Sequence, residues 1–138
     1  MLTKINHIGV AVPSIEEALP FYRDSLGMKL CGTEEVASQM VKVAFLCIGE
    51  SKIELLEPTT PESPVARFLE KSGPGVHHIA YGVADIEAAI AKLIASGTRM
   101  IDSVPRGGAH GARIAFIHPK SSGGVLTELC EAHDDSHE

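Results

Sequence analysis

Stretches rich in Ile, Val and other apolar residues predict two consecutive sets of strands. The first set covers about residues 5–12, 28–35, 40–48 and 51–57. The second set covers about residues 76–83, 99–103, 112–118 and 124–131. In the first strand of each set, large apolar residues alternate with smaller or polar ones, which places the two kinds of side chain on opposite faces.

One helix is predicted after the first strand of each set. A capping-box pattern begins at Ser14 and opens a helix that ends near Gly27. Pro20 lies inside this helix and should kink it or delay its start. The second helix is amphipathic, begins at Asp85 and stops at Gly97.

The two sets of elements are copies of one another. His7, in the first strand, matches His78 at an offset of 71 residues. After a slip of three residues, Glu54 in the last strand of the first copy matches Glu128 in the second. A repeat of about 70 residues is too long for a solenoid unit and indicates a duplicated module with the order β-α-β-β-β.

Composition places the chain among ordinary globular proteins. It has 138 residues, of which 44% are hydrophobic and 22% charged, and this size fits one domain. The net charge of −6 argues against a nucleic-acid partner but leaves room for a small anionic substrate. Three widely spaced cysteines indicate buried thiols rather than a disulfide framework or a CxxC zinc site.

No membrane association is expected, because no apolar run is long enough to cross a bilayer. The first residues lack the layout of a signal peptide or a transit peptide. A cytoplasmic location is therefore expected.

The matched His and Glu residues predict a metal site. His7 and His78 each share a strand face with small residues, which leave room for a ligand. Glu54 and Glu128 each lie in an otherwise apolar strand, where a carboxylate is costly unless it is paired or bound to a metal. Two imidazoles and two carboxylates suit Zn, Co, Ni, Mn or Fe. A pseudo-twofold relation between the copies would bring all four side chains to one ion.

This duplication with its H…E…H…E series is similar to the vicinal oxygen chelate superfamily. Within it, the chain resembles the methylmalonyl-CoA epimerases from about residue 5 to 131. The segments that carry the resemblance are 7–12, 53–58, 75–81, 116–121 and 124–129, of which HHIAY and FIHPKS are the most discriminating.

The resemblance implies an α+β fold in which two tandem βαβββ modules form a curved, mixed and largely antiparallel sheet around a metal-binding cleft. The whole chain, 1–138, would be one vicinal oxygen chelate domain. Its parts would be a first module at about 4–60, a linking helix at about 63–73, a second module at about 75–132 and a loose tail at 133–138.

The implied activity is metal-dependent interconversion of (2R)- and (2S)-methylmalonyl-CoA, in propionate metabolism. The metal ligands would be His7, Glu54, His78 and Glu128, around one divalent ion for which the resemblance favours Co over Zn, Mn or Ni. Removal of the C2 proton gives an enolate that a metal would stabilise, and Glu128 is the first choice for the acid/base group. The partners would be a CoA thioester and a second copy of the chain in a homodimer.

One position departs from the family pattern. In some relatives a Glu on the strand before the Glu54 strand is thought to act as the opposite base. The matching residue here is Val43, which cannot move a proton. Either another group, such as Glu54 or a metal-bound water, takes the second role, or this chain does not use two bases.

The CoA phosphates would need cations and backbone donors. The segments 106–113 and 120–124 are rich in Gly and carry Arg and Lys, so they are either phosphate-binding loops or ordinary hairpin turns.

Two other functions fit parts of the same pattern. A glyoxalase I-type lactoylglutathione lyase also uses an H/E/H/E set and transfers a proton. A metal-free ligand-binding protein of the same fold is the second alternative, and the presence of all four ligand types argues against it. An extradiol dioxygenase fits less well, since such enzymes usually hold iron with two His and one carboxylate.

Overall fold

The computed structural model describes residues 1–133, and the chain divides into two compact units. The N-terminal module is His7–His77, and the C-terminal module contains Met1–Asn6 together with the residues from His78 onward. The division therefore passes through the first strand of each sequence copy. That the whole chain is a single domain stays a prediction.

The N-terminal half contains four strands and two α-helices, close to the positions predicted from the sequence. The elements are β1 (Leu2–Ala11), α1 (Ile15–Leu19), β2 (Lys29–Val36), β3 (Val41–Ile48), β4 (Ser51–Pro58) and α2 (Pro64–Ser72). Strands β2, β3 and β4 are antiparallel neighbours, and β4 is parallel to β1.

The C-terminal module repeats this arrangement. Its elements are β5 (Gly75–Val83), α3 (Ile86–Ala95), β6 (Arg106–Gly107), β7 (Arg113–Ile117) and β8 (Thr127–Glu131). Strands β6, β7 and β8 are antiparallel neighbours, and β8 is parallel to β5. The strand order is β2-β3-β4-β1 in the N-terminal module and β5-β8-β7-β6 in the C-terminal module. The division between the modules falls inside β1 and inside β5. The predicted α+β class, with two βαβββ modules and mixed pairing, is confirmed.

A helix covers one face of each module's sheet. In the N-terminal module, Ile15 of α1 packs with Ala44, Leu46 and Leu55. In the C-terminal module, α3 packs against the matching strands. Its residues Ile86, Ala89 and Ile90 form a cluster with Ala115 and Ile117 of β7 and Leu129 of β8. Each fully buried Leu or Ile contributes about 1.5–3 kcal/mol. Because side chains alternate, the neighbouring residues on these strands face the side away from the helix.

A glutamate on the last strand of each module caps the helix of that module. The Ile15 N–H donates to Glu57 Oε1 at 2.8 Å, and the Ile86 N–H donates to Glu131 Oε2 at 3.1 Å. Ser14 also caps α1 with its side chain. Since the first N–H groups of a helix lack partners within it, these carboxylates fix each helix to the strand beneath it.

Two elements differ from the sequence prediction. The helix expected to run to Gly27 keeps α-helical hydrogen bonds only to Leu19, and Pro20–Ser25 continues as a π-helical turn because Pro20 has no N–H. The strand predicted at 99–103 is reduced to an isolated bridge between Met100 and Ile117.

The side chain of Asp102 explains the loss of that strand. Its carboxylate accepts the Phe116 N–H at 2.8 Å, in the place that a backbone carbonyl would occupy in a strand. The outer strand of the module forms later instead, at Arg106–Gly107.

The expectation of three buried thiols is wrong for two of the cysteines. Cys31 and Cys47 form a disulfide between β2 and β3, with their Cα atoms 6.1 Å apart. Adjacent antiparallel strands bring Cα atoms within bridging distance, which sequence spacing alone did not reveal. Cys130 is buried, as expected.

Apart from His133, the predicted loose tail at 133–138 lies outside the described residues. Between residues 1 and 133, no helix is long and apolar enough to cross a membrane.

Candidate metal-binding site

The N-terminal module holds a buried pair of possible metal ligands. His7 lies on β1, and Glu54 lies on the adjacent parallel strand β4, in register with Gly9. His7 Nδ1 is 3.2 Å from Glu54 Oε2, and the two residues are 5% and 8% exposed. Gly9 has no side chain, which leaves space for the contact between the neighbouring strands.

The C-terminal module holds the matching pair. His78 lies on β5, and Glu128 lies on the adjacent parallel strand β8, in register with Ala80. His78 Nε2 is 3.2 Å from Glu128 Oε1, and the residues are 5% and 4% exposed. The same two residue types therefore meet at the same distance on equivalent strands of both modules.

The composition of each pair fits a divalent metal ion. A buried carboxylate loses its hydration and needs a cation or several hydrogen bonds in return. A neutral imidazole nitrogen and a carboxylate oxygen are both ligands of Zn, Co, Ni and Mn. The four predicted ligands are thus brought together two by two, His7 with Glu54 and His78 with Glu128.

An aromatic and a cationic side chain adjoin the pair in the C-terminal module. The Phe116 ring meets the His78 ring edge-on at 5.7 Å and lies on β7 in register with Glu128. The Arg106 guanidinium lies 5.2 Å from the centre of the Phe116 ring and 3.4 Å from an Asp102 carboxylate oxygen. Half of the Arg106 side chain is exposed, so a guanidinium group that solvent can reach lies against the Phe116 ring.

Val43 lies where the sequence comparison expects a base. It is in register with Leu56, two residues after Glu54, so Val43 and Glu54 share one face of the N-terminal sheet. Val43 is buried and carries no group that can move a proton. The position at which the resemblance implies a base is therefore apolar in this chain.

The turn after β7 is basic. The Lys120 N–H donates to His118 Nδ1 at 3.0 Å, and the Arg99 N–H donates to the Ser121 hydroxyl. Burial, together with the charges of Arg99 and Lys120, lowers the pKa of His118 below its ordinary value. The lowered pKa favours the neutral imidazole, which can accept the Lys120 hydrogen bond.

A family model matches this chain over residues 6–116, under the description glyoxalase/bleomycin resistance protein/dioxygenase superfamily. The chain belongs to this superfamily. The match includes three of the four predicted ligands, and Glu128 lies beyond its end.

Relatives within the superfamily carry the name that the sequence segments suggested. An ethylmalonyl-CoA/methylmalonyl-CoA epimerase of Cereibacter sphaeroides is 42% identical over 94% of this chain and 98% of its own length. The mitochondrial methylmalonyl-CoA epimerase of Mus musculus is 40% identical over 95% of this chain and 74% of its own. A solved structure of a methylmalonyl-CoA epimerase with methylmalonyl-CoA and NH4+ is 42% identical, covers 97% of both chains and superimposes with a TM-score of 0.93.

The two capping glutamates were missed by the sequence interpretation. Glu57 and Glu131 each follow a predicted ligand by three residues, so they point to the opposite face of the strand. Their match between the copies was visible in the sequence and could have identified them as helix caps.

Proposed function

We propose that this protein is a metal-dependent methylmalonyl-CoA epimerase that interconverts the (2R) and (2S) forms. The observation that carries the proposal is the matched pair of buried His–Glu contacts, His7 with Glu54 and His78 with Glu128. Relatives of that name cover nearly the whole chain at about 40% identity.

The two pairs are proposed to bind one divalent ion. All four side chains are buried, and each module contributes one histidine and one carboxylate to the proposed ligand set. When bound, the ion supplies Lewis acidity that favours the charge of an enolate. Cobalt is the proposed ion, because the sequence resembles enzymes for which it is favoured.

Glu128 is proposed to move the proton at C2 on one face of the substrate. The proton lies between a thioester and a carboxylate, so its removal leaves an enolate whose charge is delocalised. Glu128 lies beside the apolar ring of Phe116, which limits competition from water for the carboxylate.

The CoA portion is proposed to lie along the basic segments of the C-terminal module. Arg106 is half exposed, and Lys120 and Arg99 flank His118 in the turn after β7. Guanidinium and ammonium groups suit the phosphates of CoA, which are anionic at neutral pH.

The protein is further proposed to be cytoplasmic and homodimeric. Light scattering on a sizing column measures the number of chains in the particle.

Deuterium incorporation at C2 of methylmalonyl-CoA tests the activity. The wild type should exchange this proton and convert each epimer into the other. Glu128→Ala should lose about 10²–10⁴-fold in exchange rate, since it removes an acid/base group and a metal ligand together. Glu70→Ala, on the exposed side of α2, is the matched control and should exchange at the wild-type rate.

Two outcomes contradict the proposal. An unchanged exchange rate in Glu128→Ala removes this residue as both ligand and base. Turnover of the hemithioacetal of glutathione and methylglyoxal, with none of methylmalonyl-CoA, instead identifies a lyase. Metal analysis decides the remaining alternative, because a metal-free binding protein should contain no divalent ion after purification and show no response to one.

A further inference from the structure

Epimerisation needs proton transfer on both faces of C2, and Glu128 accounts for one face. Val43, the residue matched to the opposite base of some relatives, is apolar. A carboxylate elsewhere on the Glu54 face of the N-terminal sheet would supply what Val43 lacks.

A β-bulge determines which side chains of β2 reach that face. Lys29 and Leu30 pair with Cys47 and Leu46, but from Gly32 onward the pairing with β3 is shifted by one residue. Since side chains alternate along a strand, a shift of one residue moves every later side chain to the opposite face.

The shift turns Glu34 toward the Glu54 face. It places Glu34 in register with Val43. In the register before the bulge Glu34 would instead have faced Lys42, which is exposed and shares the α1 face of β3 with Ala44. Glu34 is therefore directly beside the residue that replaces the relatives' base.

The surroundings of Glu34 agree with this orientation. Val36, two residues later on the same face, is buried, and Glu34 itself is half-buried. Glu35, on the opposite face, is exposed and lies in register with Lys42. A half-buried carboxylate beside a buried apolar strand keeps access to water for proton exchange and still adjoins the apolar surface.

Glu57, a second carboxylate of the module, caps helix α1. Glu57 accepts the N–H of Ile15 and so faces α1, on the other side of the sheet. It cannot take part on the Glu54 face without releasing the helix.

We propose that Glu34 is the second acid/base group, which exchanges protons with C2 on the face opposite Glu128. The inference rests on the proposed epimerase function. In one direction the Glu34 carboxylate takes the C2 proton, the C–H electron pair enters the enolate, and protonated Glu128 returns a proton to the other face. In the reverse direction the two groups exchange roles. One proton leaves and one is added in each turnover.

The test uses the full-length, metal-loaded protein with each pure epimer in deuterium oxide. Glu34→Gln should lower epimerisation by about 100-fold or more, because an amide of the same size cannot carry the proton. It should still exchange the C2 proton of the epimer that Glu128 deprotonates, and the product should retain its configuration. The other epimer should show neither exchange nor inversion above the enzyme-free rate.

Glu35→Gln is the matched control, since it makes the same change at the next residue on the opposite face. It should epimerise at the wild-type rate. Metal content and melting temperature are measured for all three proteins, so that a folding or metal defect is recognised.

Three outcomes separate the two proposals. If the wild type epimerises and Glu34→Gln does so within about threefold of Glu35→Gln, the role of Glu34 is refuted. If Glu34→Gln folds and binds metal but exchanges neither epimer, the division of faces between Glu34 and Glu128 is refuted. If the wild type epimerises neither substrate, it is the proposed function that fails.

Discussion

The outer strands of the two modules differ much more than the strands that carry the His–Glu pairs. β2 has eight residues and pairs with β3 along its length, whereas β6 has two. Glu34 is in register with Val43, and Arg106 is in register with Ile114, the residue matched to Val43 in the repeat. Equivalent positions of the two modules therefore carry opposite charges.

The two modules share some functional residues and differ in others. The histidine, the ligand glutamate and the capping glutamate are the same in both halves. A carboxylate in one outer strand suits proton transfer, and a guanidinium in the other suits an anionic substrate. The inner strands thus carry the same kind of His–Glu pair in both modules, and the outer strands carry different charges.

Metal stoichiometry tests the shared part and should give the largest effect. If both pairs hold one ion, the wild type should contain one metal per chain, and His7→Ala and His78→Ala should each contain almost none. Chelation should abolish turnover and lower the free energy of unfolding by about 2.7 kcal/mol for an ion present at 100 times its Kd.

Two metals per chain would contradict a single ion shared by both pairs. A single mutant that retained half of the wild-type metal would lead to the same conclusion, because each pair would then be an independent site. Plasma emission spectrometry on purified protein and thermal melts before and after chelation supply both measurements.

Arg106→Gln tests the difference between the outer strands. Loss of one charge-assisted hydrogen bond to an anion removes about 1.5 kcal/mol, so KM should rise about tenfold with kcat nearly constant. Steady-state kinetics of the epimerisation give the two constants. Arg67→Gln, on the exposed part of α2, is a control with the same loss of charge. A fall in kcat at constant KM would contradict a role in binding the anion.

Loss of the capping glutamate should lower the free energy of unfolding by a similar amount in each module. Glu57→Gln and Glu131→Gln should each lower the free energy of unfolding by about 1 kcal/mol. Glu131 also pairs with Arg113 at 3.2 Å, which adds at most about 1 kcal/mol at this partly exposed position. Urea unfolding measures both variants, and a larger loss for Glu57→Gln would contradict the expected order.

His118 should give the smallest effect, in the pH dependence of stability. Its pKa is lowered in the folded protein, so the unfolded chain binds the proton more readily and stability increases with pH. The contribution is complete above about pH 6.5 and is lost as the pH falls below it. Wild type should lose more melting temperature than His118→Gln between pH 7.5 and 5.5, and equal losses would contradict this.

The repeat predicted much of the fold and of the ligand pairs. Strand alternation and the offset of 71 residues were enough to match His7 with His78 and Glu54 with Glu128. The disulfide and the bulge in β2 were not predictable in this way, because they depend on how β2 pairs with β3. The prediction of a strand near 99–103 was wrong for a similar reason. The Asp102 carboxylate takes the Phe116 N–H of β7 that a backbone carbonyl would otherwise accept.

The capping glutamates also have a consequence for the order of folding. Ile15 and Glu57 are 42 residues apart, and Ile86 and Glu131 are 45 apart, so each cap joins the beginning of a module to its end. Closing such a loop costs chain entropy before the contact is made, and contacts of this range form slowly. Protection of the Ile15 and Ile86 amides from hydrogen exchange should therefore appear late in refolding, and each amide reports when its own module has closed.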